Sequence, residues 1–205
     1  MSFRALFFDV DTQHDFIDAD GKLPVPNTRK MVGNLRRLTD FAVEHRIPIV
    51  ASTDAHSRGD SEFKVFGEHC VPGTPGQKKL DETTAAEQEV LDPERLDQQI
   101  ERLARGETVQ LVIQKQSLDV FDKPMTEQIL AALKPERVYV YGVTTEYCVL
   151  RTVLGLRRCG YQVTVVSDAV KAVEEGASKA AVAHMRAAGA HLADTQTVLK
   201  QVAAP

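Results

Sequence analysis

The sequence predicts an α/β protein, a three-layer α/β/α arrangement built on a mainly parallel sheet. Three observations predict it. Short apolar runs recur at 5–10, 47–52, 109–113, 138–143 and 163–166, each suited to a strand buried on both faces. Helical patterns accompany them at 28–44, 126–133, 147–158 and 178–188. No internal repeat or low-complexity linker interrupts the alternation, so residues 1–205 read as a single domain.

Each element has its own justification. The run at 5–10 is short, apolar and followed by a cluster of Asp9, Asp11 and Asp15. The 28–44 segment carries Met31, Leu35, Leu38 and Ala42 at helical spacing. The strand at 47–52 leads into Thr53-Asp-Ala-His56, where extended geometry points Asp54 and His56 to the same side. Residues 54–77 have little periodicity but hold two histidines and a Gly-Thr-Pro-Gly turn; a long irregular segment of this composition points to function. The 80–106 stretch, rich in Glu, Gln, Asp and Arg, is expected to be a surface helix with connecting loops. The strand at 109–113 runs out at Lys115, and the one at 138–143 breaks at Gly142 before a helix that begins near Cys148.

Composition narrows the function classes. With 43% hydrophobic and 26% charged residues the chain is an ordinary globular protein, and a net charge of -4 gives no electrostatic reason to expect nucleic acid or an anionic membrane as partner. No apolar stretch approaches the roughly 20 residues of a membrane span. The N-terminal residues enter a strand at once, without a signal-peptide cleavage pattern. Three cysteines, Cys70, Cys148 and Cys159, with no CxxC spacing do not make a disulfide framework, and a reduced cytoplasmic enzyme is the expectation.

The chemistry gathers at strand ends. Cys148 lies just past a strand and at the start of a helix, where unpaired N–H groups favour a thiolate; a buried core cysteine is the competing reading. Asp11 is a candidate base, metal ligand or turn cap. Asp54, His56 and His69, with Glu62 as a candidate fourth ligand, suit a divalent cation such as Zn, Fe or Mn. Lys115 alone says little. Together, four strands ending in Asp11, Asp54 with His56, Lys115 and Cys148 mark the edge where an open α/β sheet builds its site.

With those residues identified, the chain resembles the isochorismatase-like cysteine hydrolases, and within them the nicotinamidases. Asp11-Thr-Gln-His-Asp-Phe16 resembles the D-x-Q-x-D-F opening, and Leu23-Pro-Val-Pro26 the loop after it. Asp54-Ala-His56 and His69-Cys-Val-Pro-Gly-Thr-Pro-Gly76 match the metal region, Lys115 falls at the family lysine, and Gly142-Val-Thr-Thr-Glu-Tyr-Cys-Val149 is close to the nucleophile motif. The resemblance implies the isochorismatase-like hydrolase fold and a Cys148–Asp11–Lys115 triad that forms a thioester from a small carboxamide. It also implies a cis peptide at Val143–Thr144, with the N–H groups of Thr144 and Cys148 facing the oxyanion. Asp54, His56 and His69 would hold the metal, zinc first among the choices, and Phe16, Phe66 and Tyr147 would contact the substrate. Homo-oligomers are a family expectation.

Departures from the family pattern bear on the substrate. Ala55 and Ser57 replace the tryptophan and proline of D-W-H-P, Phe66 replaces a tryptophan, and Gln116-Ser-Leu-Asp-Val-Phe121 replaces an aromatic-containing segment. The chain has no tryptophan at all. Nicotinamide or a related small carboxamide is the leading substrate. The alternatives are a metal-independent N-carbamoyl or ureido amidohydrolase of the same superfamily and, from a different class, a non-catalytic metal-binding or redox-sensing thiol protein. Cys70, Cys159, His184 and His191 are read as ordinary structural or surface positions. Asp9 is expected to brace the site from Asp11's side of the strand.

Overall fold

A computed structural model describes residues 2–204. In chain order the main elements are β1 (Ala5–Val10), α1 (His14–Ile17), α2 (Arg29–His45), β2 (Ile49–Asp54) and α3 (Phe63–Phe66). They continue with β3 (Gln88–Val90), α4 (Leu96–Ala104), β4 (Gln110–Lys115), α5 (Met125–Leu133) and β5 (Arg137–Val143). After a π turn at Thr145–Val149 come α6 (Leu150–Arg158), β6 (Gln162–Lys171), α7 (Glu175–Ala187), β7 (His191–Ala193) and α8 (Thr195–Ala203).

The seven strands form one sheet in the order β3-β4-β2-β1-β5-β6-β7, and every pairing within it is parallel. Parallel strands need crossover connections, and the helices supply them on both faces. Alternation along β1 shows the layering. Leu6, Phe8 and Val10 join Ile100, Leu103, Ile129, Leu133, Val153, Leu156 and Met185 on the face of α4, α5, α6 and α7. Phe7 joins Met31, Leu35, Leu38, Ala42 and Val198 on the face of α2 and α8. Each of the larger side chains so buried contributes roughly 1.5–3 kcal/mol from removal of apolar surface from water. Arg46, left-handed at φ 52, ends α2 with its N–H on the carbonyls of Ala42 and Val43.

β1 is the middle strand. The chain first winds away from it through β2 to β4, then returns to its other side with β5. At such a reversal, crossover helices leave in opposite directions and a crevice opens at the strands' C-terminal ends. The register sets what meets there: Val10 is level with Ser52 and with Gly142, and Asp54 with Lys115.

Three details differ from the sequence expectation. The 80–106 region is not simply a solvated helix with loops: it contributes the edge strand β3, and Leu80, Thr83, Ala85, Gln99, Ile100 and Leu103 are buried. A three-residue Gln-Glu-Val strand offers no alternation to read. β6 extends to Lys171, well past its apolar start, because it pairs with β5 beyond a bulge between Val140 and Gly142. β7 and α8 complete the far edge and were not anticipated; His191 belongs to β7.

Candidate active site

The site begins at the end of β1. Asp11 is 1% exposed and takes a left-handed φ of 50, which Asp tolerates better than most residues. Its N–H donates to the Ser52 carbonyl at 3.1 Å, and its Oδ1 accepts from Ser52 Oγ at 2.6 Å. Its Oδ2 is 2.9 Å from Lys115 Nζ. Lys115, itself 1% exposed, also donates to Asp54 Oδ1 and approaches Cys148 Sγ at 3.6 Å. One ammonium thus faces two carboxylates and a thiol.

Burial and charge oppose each other here. Burial disfavours the Lys115 ammonium, but Asp11 and Asp54 more than compensate and hold its pKa well above the ordinary lysine value. Burial raises Asp11, and Lys115 only partly offsets it. Burial also works to raise Asp54, yet Lys115 and His56 prevail and lower it. Burial pushes the Cys148 thiol well above its ordinary value, against the pull of Lys115. The protein therefore holds Cys148 as a thiol beside a carboxylate of raised basicity.

Cys148 stands in the π turn that precedes α6. The Thr144 carbonyl accepts from the N–H groups of Tyr147 and Val149, tying down the residues on each side of it. The Val143–Thr144 peptide is cis. Gly142 has φ +117, and a Cβ there would collide with the Val10 carbonyl, so only glycine lets β5 run this close to β1 at the turn.

Asp54, His56 and His69 bring their ligand atoms within 4.8 Å of one another, all buried. His56 Nδ1 lies 3.0 Å from Asp60 Oδ2, and His69 Nδ1 lies 2.9 Å from the Gly67 carbonyl. Those acceptors place the ring protons on Nδ1 and turn both Nε2 atoms toward the cluster. His56 Nε2 is buried without a hydrogen-bond partner. Burial opposes an imidazolium at His56, but Asp54, Asp60 and Glu62 lift its pKa to about 9. One carboxylate and two imidazoles, with an unpartnered nitrogen among them, fit a divalent ion. Glu62 lies outside this trio, although its Oε1 is 3.9 Å from His56 Nε2. Cys70 does not join it either.

A cavity of about 160 Å³ is shared by Cys148, Asp11, Asp54 and His69. Its reactive end holds Asp11, Asp54, Glu62, His69 and Cys148, with Val143 and Thr144 beside them. Its walls are Phe16, Leu23, Phe66, Leu118, Tyr147 and Val173. Phe66 and Tyr147 meet edge to face at 5.7 Å between ring centres, and Phe16 lies 5.5 Å from the His69 ring. Leu118 comes from the segment that departs from the family pattern.

Asp9 does not share the site. Its carboxylate binds Lys79 Nζ at 2.6 Å and Thr12, tying β1 to the loop before β3. Sequence reasoning assigned no role to Ser52, Asp60 or Lys79. Ser52 was within reach as the residue two before Asp54 on one strand, whereas Asp60 and Lys79 lie in irregular loops with no spacing to flag them. Gln13 spans β1 and β2, donating to the Asp54 carbonyl at 2.9 Å and accepting from the Asp54 N–H at 2.6 Å.

A cysteine, a carboxylate and a lysine converging at the C-terminal edge of a parallel sheet define a hydrolase-like site. The Isochorismatase domain model matches residues 5–197, and the chain belongs to that family of hydrolases. It is 31% identical over 205 residues to the nicotinamidase of Escherichia coli (strain K12), covering 92% of this chain and 93% of that one. The pyrazinamidase of Pyrococcus horikoshii, solved in complex with zinc, is 26% identical with a TM-score of 0.76, covering 93% of this chain and 99% of that one. The fold is also that of the N-carbamoylsarcosine amidase from Thermoplasma acidophilum, at 22% identity and a TM-score of 0.73, covering 94% of this chain and 97% of that one.

Proposed function

We propose that this protein is an amidohydrolase that converts nicotinamide, or a closely related small aromatic carboxamide, to the acid and ammonia. One observation carries the reading: a single small cavity is lined by the candidate nucleophile Cys148 and by the candidate metal ligands Asp54 and His69. A flat ring between Phe16, Phe66 and Tyr147 can offer its carboxamide to one and its ring nitrogen to the other.

Asp11 takes the Cys148 proton as the thiolate attacks the amide carbon, and Lys115 balances the charge that remains. The N–H groups of Thr144 and Cys148 receive the oxyanion. Asp11 returns the proton to the departing nitrogen, ammonia leaves, and the acyl group stays on sulfur as a thioester. Asp11 then activates water, which attacks the thioester, releases the carboxylic acid and restores the thiol. A divalent ion held by Asp54, His56 and His69, with zinc the leading choice and Fe or Mn the others, supplies a Lewis-acidic anchor for the ring nitrogen.

The superfamily alternative, hydrolysis of N-carbamoyl or ureido acids, fits the cavity less well. Those substrates carry a carboxylate, and among the described residues no lysine or arginine lines this cavity to receive it.

The test is ammonia release from nicotinamide by zinc-loaded protein, with Cys148→Ala alongside. The expected result is turnover that falls on the order of 10⁴-fold or more in the variant. Cys148-dependent turnover of ureido acids in place of nicotinamide would overturn the substrate and keep the nucleophile.

A further inference from the structure

One buried carboxylate beside the site has no part in the chemistry above. Asp15, 4% exposed, lies in α1 just beyond Asp11. Its Oδ2 accepts the Cys70 N–H at 2.7 Å, and its Oδ1 accepts the Lys22 N–H at 3.0 Å. Neither donor belongs to its own helix, so this is not a cap. The two bonds reach into different loops and fix the carboxylate's rotation from both sides.

The Cys70 end is the informative one. Cys70 follows His69 directly and holds a left-handed φ of 47. Its carbonyl accepts the His56 N–H at 3.2 Å. A single residue therefore carries an N–H fixed by Asp15 and a carbonyl that fixes His56, while its chain neighbour is His69. Gly76 adds a second, independent observation: a Cβ there would collide with the Asp15 carboxylate, so the loop after the histidines closes against that group. A bare glycine is the residue that permits this approach.

We propose that Asp15 is a positioning residue for a divalent-cation site: through the Cys70 backbone it sets the spacing and aim of His56 and His69. The inference rests on the reading of Asp54, His56 and His69 as that site. Asp15 belongs neither to the Asp54–His56–His69 cluster nor to the lining of the cavity. Asparagine cannot reproduce it, since one side-chain oxygen accepts but the amide nitrogen faces the second N–H donor to donor.

The experiment is zinc binding by chelator competition on the full-length wild type, Asp15→Asn and Gly76→Ala, with circular dichroism and melting to establish folding. The rate of Cys148 alkylation by iodoacetamide is read in parallel. The expected result is a zinc dissociation constant raised about 10–100-fold in both variants, as for other residues that orient metal ligands. The alkylation rate and its pH profile stay as in the wild type, because Asp11 and Lys115 are untouched. Folded variants that bind zinc as tightly as the wild type would overturn the proposal. If Asp15→Asn does not fold, Gly76→Ala decides on the same terms. A wild type that binds no zinc overturns the metal reading and this inference together. Nicotinamide turnover plays no part in the readout, so an error in the substrate leaves the result interpretable.

Discussion

At the residue scale the chemistry turns on where protons sit. Burial holds Cys148 as a thiol and raises Asp11, so the free protein stores the proton on sulfur beside a base able to take it. A thiol whose folded pKa lies above its unfolded value has its stabilising share in full below the unfolded pKa and loses it as pH rises through the folded one. The same sign governs reactivity. Alkylation of Cys148 in the free protein is expected to climb about tenfold per pH unit and still be rising past the ordinary thiol value of 9.0. A plateau near neutral pH in an iodoacetamide rate profile would show instead a thiolate already formed without substrate. Asp11, Lys115 and Cys148 could be singled out in the sequence because each lies within a few residues of the end of an apolar run. Asp15 acts through Lys22 and Cys70 in two other loops, and Gln13 through the Asp54 backbone on the neighbouring strand, contacts that linear spacing does not show.

At the scale of elements, the nucleophile turn depends on how closely β5 approaches β1. Gly142 allows it by its φ of +117 and its missing side chain. Gly142→Ala is expected to cost about 1–3 kcal/mol for the backbone conformation, with a further penalty for the clash at the Val10 carbonyl. Chemical denaturation would read this as a lowered midpoint at unchanged slope, and a variant as stable as the wild type would contradict it. The long elements were legible: β1 has the predicted boundaries, and α2 buries the Met31, Leu35, Leu38 and Ala42 face. β3 and β7 were not, because each is only three residues long at a sheet edge and pairs with one neighbour. Their existence is decided by the strand beside them more than by their own side chains.

For the molecule as a whole, the fold assembles carboxylates and apolar walls around one crevice. Under the proposed function neutral carboxamides are preferred to ureido acids, since among the described residues no lysine or arginine lines the cavity to receive a substrate carboxylate. The expectation is a kcat/KM for such anions at least about 100-fold below that for nicotinamide, equivalent to ~2.7 kcal/mol. Parallel assays under one buffer and metal condition would measure it, and equal efficiency would contradict it. The three-layer architecture was legible because the long strands each contain a short apolar run, as at 5–10, 109–113 and 138–143. Among the described residues, no helix is long and apolar enough to cross a membrane. The shape of the cavity was not legible, since Leu118 and Val173 reach it from segments that the sequence did not connect to the site.

Lys115 pairs with Asp11 and donates to Asp54, which ties the candidate thiol chemistry and the candidate cation site to a single positive charge. Losses from substituting the two aspartates therefore do not add, because each substitution leaves the ammonium to the remaining carboxylate. A slowed Asp54 variant reports on sulfur as well as on metal, and its rate alone cannot be assigned to either.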